Sequence, residues 1–476
     1  MKVKNRTMRK ELTYICLFIV LVSSMGSVNS KTCNWTQSHG NEAHTAHCDT
    51  DIVPPLVLLW KNTLEQGGIS GSVASGDRLV LLSPLGTPQL DYSLLCFKID
   101  KTGLQTVWRR TLLAVGRGTI PAIAGNKVIC PSSQMLHCFD LETGYTVWET
   151  GFDSTPRTPI VIQDTDMAAV TTIPAGPGKS GSLSLVDIST GKIVWTKKSL
   201  EDVQCHFFDI ATAGDGKIFA CYATSDERGI VAFNLQGELL WKRIGKLLNK
   251  CADECMYVML YTRGILFAVG SPTTLFALDG ETGDVLWAYE GKTLLDNLSS
   301  DGKNIYVYSK TDEGVLCLDV HTGDEIWKSP PLFQGDRELL ITIDKSVVST
   351  RTCVFVCRHT YENIGTTQIF ALDGNTGAVI WTSEELENLR GPLILCNDMV
   401  IAKASSTLFA FGELHDIGAP TLESTPESPP ETTTLTMPSS TPAASSASLI
   451  SLYVALILIG ALIGIFFVYS LRRGKL

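Results

Sequence analysis

The phrase "ALDGETGDVLW", from Ala277 to Trp287, decides the fold because it returns as "ALDGNTGAVIW" from Ala371 to Trp381. A third copy, "CLDVHTGDEIW", ends at Trp327. Variants end at Trp108 ("FKIDKTGLQTVW"), Trp148 ("CFDLETGYTVW"), Trp195 ("LVDISTGKIVW") and Trp241 ("AFNLQGELLW"). Self-similarity at a spacing of about 40 to 50 residues dictates a repeat architecture before any local structure is considered. Each copy is an apolar strand ending in Asp, a tight Thr-Gly turn and a second strand ending in Trp. Glycine supplies the positive φ of the turn, and the Asp and Thr side chains can hold its amides.

Two more strand-like runs precede each phrase, such as "GDRLVLLS" before the first and "KNIYVYSK" before the sixth. Four strands per unit at this period predict the blades of a radial β-propeller. Trp60, in "LVLLWKN", has no Asp-Thr-Gly phrase before it, while "STLFAFGE" (Ser406 to Glu413) lacks a Trp strand after it. Joining the two completes an eighth blade and leaves no open sheet edge. The expectation is an all-β, eight-bladed propeller over 53–413, closed by the N-terminal strand; seven blades with loose ends is the alternative. Trp60, Trp108, Trp148, Trp195, Trp241, Trp287, Trp327 and Trp381 then mark structurally equivalent points, where an amphipathic indole packs between blades and finds a backbone acceptor.

Both ends read as targeting segments. Basic residues from Lys2 to Lys10 precede an apolar run, Leu12 to Val22, and small residues ending at Ser30, the order of a cleavable signal peptide over 1–30. A retained signal anchor is the alternative. Residues 449–471 carry no charge and have the length of a membrane-spanning helix. Arg472, Arg473 and Lys475 follow in a tail of 472–476, which predicts single-pass type I topology with the propeller outside. A glycolipid-anchor signal would end in its apolar tail instead. Between propeller and helix, 414–448 is a stalk, dominated from Ala419 to Ser448 by Ser, Thr and Pro. The formal charge is −10; the leader carries +4 and the tail +3, so −10 − 4 − 3 leaves −17 outside. Such an exterior repels phosphate backbones and argues against nucleic acid.

The Ala-x-Asp-x-x-Thr-Gly-x-x-x-Trp phrase resembles the tryptophan-docking motif of propellers with pyrroloquinoline-quinone-type repeats, from about Val53 to Glu413. "NWTQSHGNEAHTAH" (Asn34 to His47), in an N-terminal extension over 31–52, is similar to the lead-in segment of surface members of that superfamily. The resemblance implies an eight-bladed ring and several functions: quinoprotein dehydrogenases, a bacterial outer-membrane assembly lipoprotein that binds partners without catalysis, and the lumenal sensor of an unfolded-protein-response kinase. Fold therefore does not settle function.

A quinoprotein dehydrogenase would resemble this chain in its blades but bring an adjacent cysteine pair, calcium ligands and a haem or other electron route. No two cysteines are adjacent, and no Cys-x-x-Cys-His occurs. No catalytic residue, cofactor or metal site is assigned, and the chain is expected not to be an enzyme. His39, His44, His47, Cys48 and Asp49 are of metal-ligating type, but His39 and His44 fall on the lead-in pattern and Cys48 is expected to bond to Cys33. Cys96, Cys138 and Cys317 occupy small core positions of the repeat. Cys205 and Cys251, each ten residues after a repeat tryptophan, are a second candidate bridge, with Cys255 as an alternative partner. Asn34 and Asn297 head N-glycosylation triplets, and Asn297 is favoured because "DNLSSDGKN" reads as a polar connection. Lys31 to Asn34 is expected to be dispensable. The resulting reading is a membrane-tethered recognition or scaffolding module for a protein, peptide or glycan, at the plasma membrane or, alternatively, in an endomembrane lumen. A quinone-dependent oxidoreductase is the alternative function.

Overall fold

Every copy of the phrase folds as a hairpin on the outer side of a four-stranded antiparallel sheet, and eight such sheets follow one another around a ring. This computed structural model describes residues 33–413 apart from 66, 87–90, 117, 174–180, 208–210, 245–258, 272–273, 292–294, 310, 333–344, 359–365, 388 and 390–391. The leader, the stalk, the segment 449–471 and the tail lie outside the described residues. No helix among the described residues is long and apolar enough to cross a membrane.

Blade one has the strands Ser72–Ser75, Arg78–Pro84, Tyr92–Asp100 and Gly103–Leu112, in that order from the axis outward. Blades two to seven repeat this order, with the first strand broken into two pieces in blades three and four. Blade eight takes Ile394–Cys396, Met399–Ala404 and Thr407–Glu413 from the end of the ring and Leu56–Thr63 from its beginning. Leu56 pairs with Glu413, Trp60 with Ala410 and Thr63 with Thr407, so the N-terminal strand closes the circle.

Apolar side chains from facing sheets form clusters between neighbouring blades, and the largest joins blades seven, eight and one with Cys33, Trp35, Cys48 and Ile52. Each repeat tryptophan sits at such a boundary. Seven of the eight indole N–H groups donate to a carbonyl at the turn of the next blade, at 2.7 to 3.1 Å: Trp60 to Asp100, Trp108 to Leu141, Trp148 to Ile188, Trp195 to Leu235, Trp241 to Gly280, Trp287 to Val320 and Trp327 to Gly374. Trp381 faces blade eight, whose outer hairpin is split between the chain ends, and its ring packs edge-on against Phe411.

The turns are held as their composition requires. Asp140 Oδ1 accepts from the Thr143 hydroxyl at 2.7 Å and the Thr143 amide at 2.8 Å, and these bonds hold its carboxyl below the usual range. The same contacts recur at Asp187 with Thr190 and at Asp373 with Thr376. The register slips just before every repeat tryptophan, so that Leu59, Val107, Val147, Val194, Leu240, Leu286, Ile326 and Ile380 have no cross-strand partner. A bulge at this place twists each outer strand and blunts an edge that would otherwise invite pairing with another chain.

Candidate functional site

The first strands of successive blades approach one another around the axis, and residues 33–48 run inside them. Cys33 Sγ lies 3.0 Å from the Leu395 carbonyl oxygen of blade eight. Trp35 exchanges two backbone hydrogen bonds with Ala74 of blade one, and the Thr36 carbonyl accepts from Ile123 of blade two. The Gln37 side-chain amide donates to and accepts from the Val161 backbone of blade three. Ala213 of blade four donates to Glu42, Tyr261 of blade five to Ala43, Ser300 of blade six to Thr45 and Ser349 of blade seven to Ala46, at 2.8 to 3.0 Å. The segment thus visits all eight blades in order, and the Cys33–Cys48 disulfide, Cα to Cα 5.7 Å, closes it on itself.

This circlet is largely buried, with Trp35, Gln37, Ser38, His44 and Ala46 among its enclosed residues. Its bonds fall towards the ends of the first strands that lead into the first turn of each blade. In an antiparallel blade that turn and the Asp-Thr-Gly turn share one face. The circlet therefore fills the channel at the Asp-Thr-Gly face, leaving the connections between blades on the other.

Histidines of the circlet are held by this packing. His44 Nδ1 stands 3.2 Å from the Met259 carbonyl and 3.0 Å from the Thr212 hydroxyl, while Nε2 is buried without a hydrogen-bond partner. Burial above all, then the charge of nearby His39, pushes its pKa down to about 3. His47 is also lowered, chiefly by burial, and its Nδ1 meets the Ser349 hydroxyl at 2.9 Å. The His39 and His44 rings are 5.2 Å apart. Cys48 is taken by the disulfide, and no group of three or more metal-ligating side chains stands together among the described residues.

The bridge expected from Cys205 is corrected. Cys205 is a buried free thiol between blades three and four, packed with Leu200 and Phe207, and burial pushes its pKa up to about 11. Cys251 and Cys255 lie outside the described residues. Cys96, Cys138 and Cys317 are buried free thiols, each directly opposite a repeat tryptophan. Asn297 falls in the first strand of blade six, Leu295–Ser300, instead of a connection. Asn34 is exposed, its Oδ1 accepting from the Gly76 amide at 2.9 Å.

A feature that the sequence did not single out lies on the opposite face. A cavity of about 850 Å³ opens between blades two and three. Its floor is the side-chain face of Leu183–Asp187 and Ile193–Lys197, through Ser184, Ile193 and Thr196. Gln134 and the connection Gly151 to Ser154 form one wall. The other is a short ribbon, Ser199–Leu200 paired with Val203–Gln204, whose two turn residues, Glu201 and Asp202, both have positive φ. Lys242 holds that turn through Glu201 at 2.7 Å, and Lys198 reaches across the cleft to Asp153 at 2.6 Å.

A family model described as outer membrane protein assembly factor BamB matches residues 57–203 and 97–329, together more than half of the chain. A comparison with curated protein sequences finds no match. Among solved structures, a europium-containing methanol dehydrogenase superposes with a TM-score of 0.59 at 13% identity, covering 80% of this chain and 98% of that one. BamB from Moraxella catarrhalis gives 0.51 at 16% identity, covering 76% and 99%. The quinohemoprotein alcohol dehydrogenase from Comamonas testosteroni gives 0.55 at 13% identity, covering 81% of each. At these identities the likeness is one of fold.

Proposed function

Since the chain belongs to the BamB-type family of pyrroloquinoline-quinone-repeat propellers, whose fold is shared by enzymes and by a non-catalytic assembly factor, we propose that it is a recognition or scaffolding module and not an oxidoreductase. One observation carries this reading: the circlet 33–48 engages the inner strand of every blade and fills one end of the channel. A quinone needs a cavity that binds and orients it. At this end of the channel the residues present do not fit one, because their inward bonds are made to the chain itself. The opposite face, built from the connections between blades, is left for a partner.

The module is tethered through the helix 449–471 with the propeller outside the cytosol, at the plasma membrane or in an endomembrane lumen, and its partner is a protein, peptide or glycan. The test is to incubate purified chain with quinone and calcium, desalt it, and follow cofactor absorbance and dye reduction with alcohols or sugars. Neither signal is expected. Stoichiometric quinone retention with turnover overturns the recognition reading in favour of the oxidoreductase. Topology is checked separately with protease on sealed microsomes, which should reach a C-terminal tag from the cytosolic side alone.

A further inference from the structure

We infer that the cleft between blades two and three is a carbohydrate-binding site for a short neutral oligosaccharide. This assignment rests on the recognition reading and gives it a ligand class. The lining is rich in groups that both donate and accept. Ser154, Ser182, Ser184, Thr196 and Ser199 contribute hydroxyls, and Gln134 and Gln204 contribute amides that can address neighbouring sugar hydroxyls as a pair. One hydroxyl pair of the lining is already aligned, Ser184 with Thr196 at 2.9 Å. Such a pair settles the direction of one hydrogen bond and leaves remaining lone pairs for a ligand hydroxyl.

Other ligand classes fit less well. Lys198 is the single cation among the described lining residues and is already paired with Asp153. Asp202 then leaves the described lining with a net negative charge, which opposes phosphate, sulfate and other anions. Apolar ligands usually find a mostly hydrophobic pocket, whereas the large apolar side chains here are Phe152 and Ile193. Phe152 is half-buried at the wall, packed against the apolar cluster between blades two and three, and lines the cleft with its remaining ring surface, which can meet the apolar face of a sugar. Extended peptides add to an unpaired strand edge; Leu183–Asp187 is paired on both sides, the free edge of Ile193–Lys197 is interrupted by the bulge at Val194, and the floor offers side chains. Lys242 pairs with Glu201 at the turn of the ribbon, and Lys198 with Asp153 across the exposed mouth of the cleft.

The test uses the full chain, purified in a detergent without a sugar headgroup, and saturation-transfer NMR with oligomannose, chitotriose and lactose, and with a sialylated trisaccharide as the anionic comparison. At least one neutral sugar is expected to bind saturably and more tightly than the sialylated one. Gln204→Ala, at an exposed residue, and Phe152→Ala should each weaken it about tenfold with the melting temperature unchanged for Gln204→Ala. Absence of saturable binding by all three neutral sugars overturns the assignment, as does binding that neither substitution alters. Either failure leaves the recognition reading standing, because that reading falls only to quinone retention with turnover.

Discussion

Gly144 lies against the face of the Trp108 indole of the preceding blade: a Cβ added to it would stand 2.6 Å from Cδ2 and 2.8 Å from Cγ. With φ at +67° the position is also in the left-handed region. The carbonyl of Leu141, in the same turn, accepts the indole N–H at 2.7 Å. One turn thus supplies both a flat seat and a hydrogen-bond acceptor for its neighbour's tryptophan.

Gly144→Ala should accordingly cost more than a glycine substitution in open space. Gly125 has φ of +55° but nothing within 4 Å of an added Cβ. Gly125→Ala should cost only the left-handed penalty, about 1 kcal/mol. Gly144→Ala should add overpacking of about 1 to 3 kcal/mol. Equal losses in denaturant unfolding would show that the indole shifts aside freely.

Removal of Val53 to Asn62 takes away the fourth strand of blade eight and the Trp60 bond to Asp100. The exposed edge of Thr407–Glu413 should then pair between molecules. Size-exclusion chromatography is expected to show aggregates and calorimetry a lower melting temperature. A monomer of unchanged stability would mean that the ring closes without this strand.

Breaking the circlet should be felt throughout the ring. Cys33 and Cys48 are separated by 15 residues, and a loop of that length corresponds to about 3 kcal/mol when its cross-link is lost. The double variant Cys33→Ala/Cys48→Ala should lose stability on that order and become open to proteolysis within 34–47. Non-reducing peptide mapping of the native chain should recover Cys33 linked to Cys48, and Cys96, Cys138, Cys205 and Cys317 as thiols.

Acid should weaken the ring before its carboxylates titrate. The pKa of His44 is lowered from 6.5 to about 3 in the folded chain, so only the unfolded chain takes up this proton as pH falls below 6.5. Stability is full above that value and declines at about 1.4 kcal/mol per pH unit for this residue as pH approaches 3. His47, lowered in the same direction, adds to the slope. His44→Asn should flatten the stability profile between pH 6.5 and 4.5, whatever its effect on absolute stability. An unaltered slope would place the acid sensitivity elsewhere.

The blades were legible because each is specified locally: Asp, Thr, Gly and Trp set one hairpin and its seat for the next. Closure was legible from Trp60, which had the repeat's tryptophan without its turn. The circlet was not, because its contacts are made one or two at a time to eight distant strands and no periodicity records them. Lys31 to Asn34 therefore read as dispensable, although Cys33 is buried in the closing cluster. The pairing of Cys205 with Cys251 rested on equivalent positions in adjacent blades, and equivalence in a repeat carries no information on whether two Cα atoms come within bridging reach. The cleft is assembled from connections of two blades, which are not constrained by the repeat.

The antiparallel seam of blade eight has a mechanical consequence. Leu56 stands opposite Glu413, so the two strands leave the seam at the same end, where the Val53 amide is bonded to the Glu413 carboxylate at 3.0 Å. A pull along the chain beyond Glu413 would load this bond first and then the ladder one rung at a time, as a zip opens. The N-terminal strand cannot follow the load, because the residues before it are tied into the circlet. Tension would therefore peel Thr407–Glu413 away from Leu56–Thr63 and part the ring at this seam, leaving the outer hairpins of blades one to seven, each continuous in the chain, still folded.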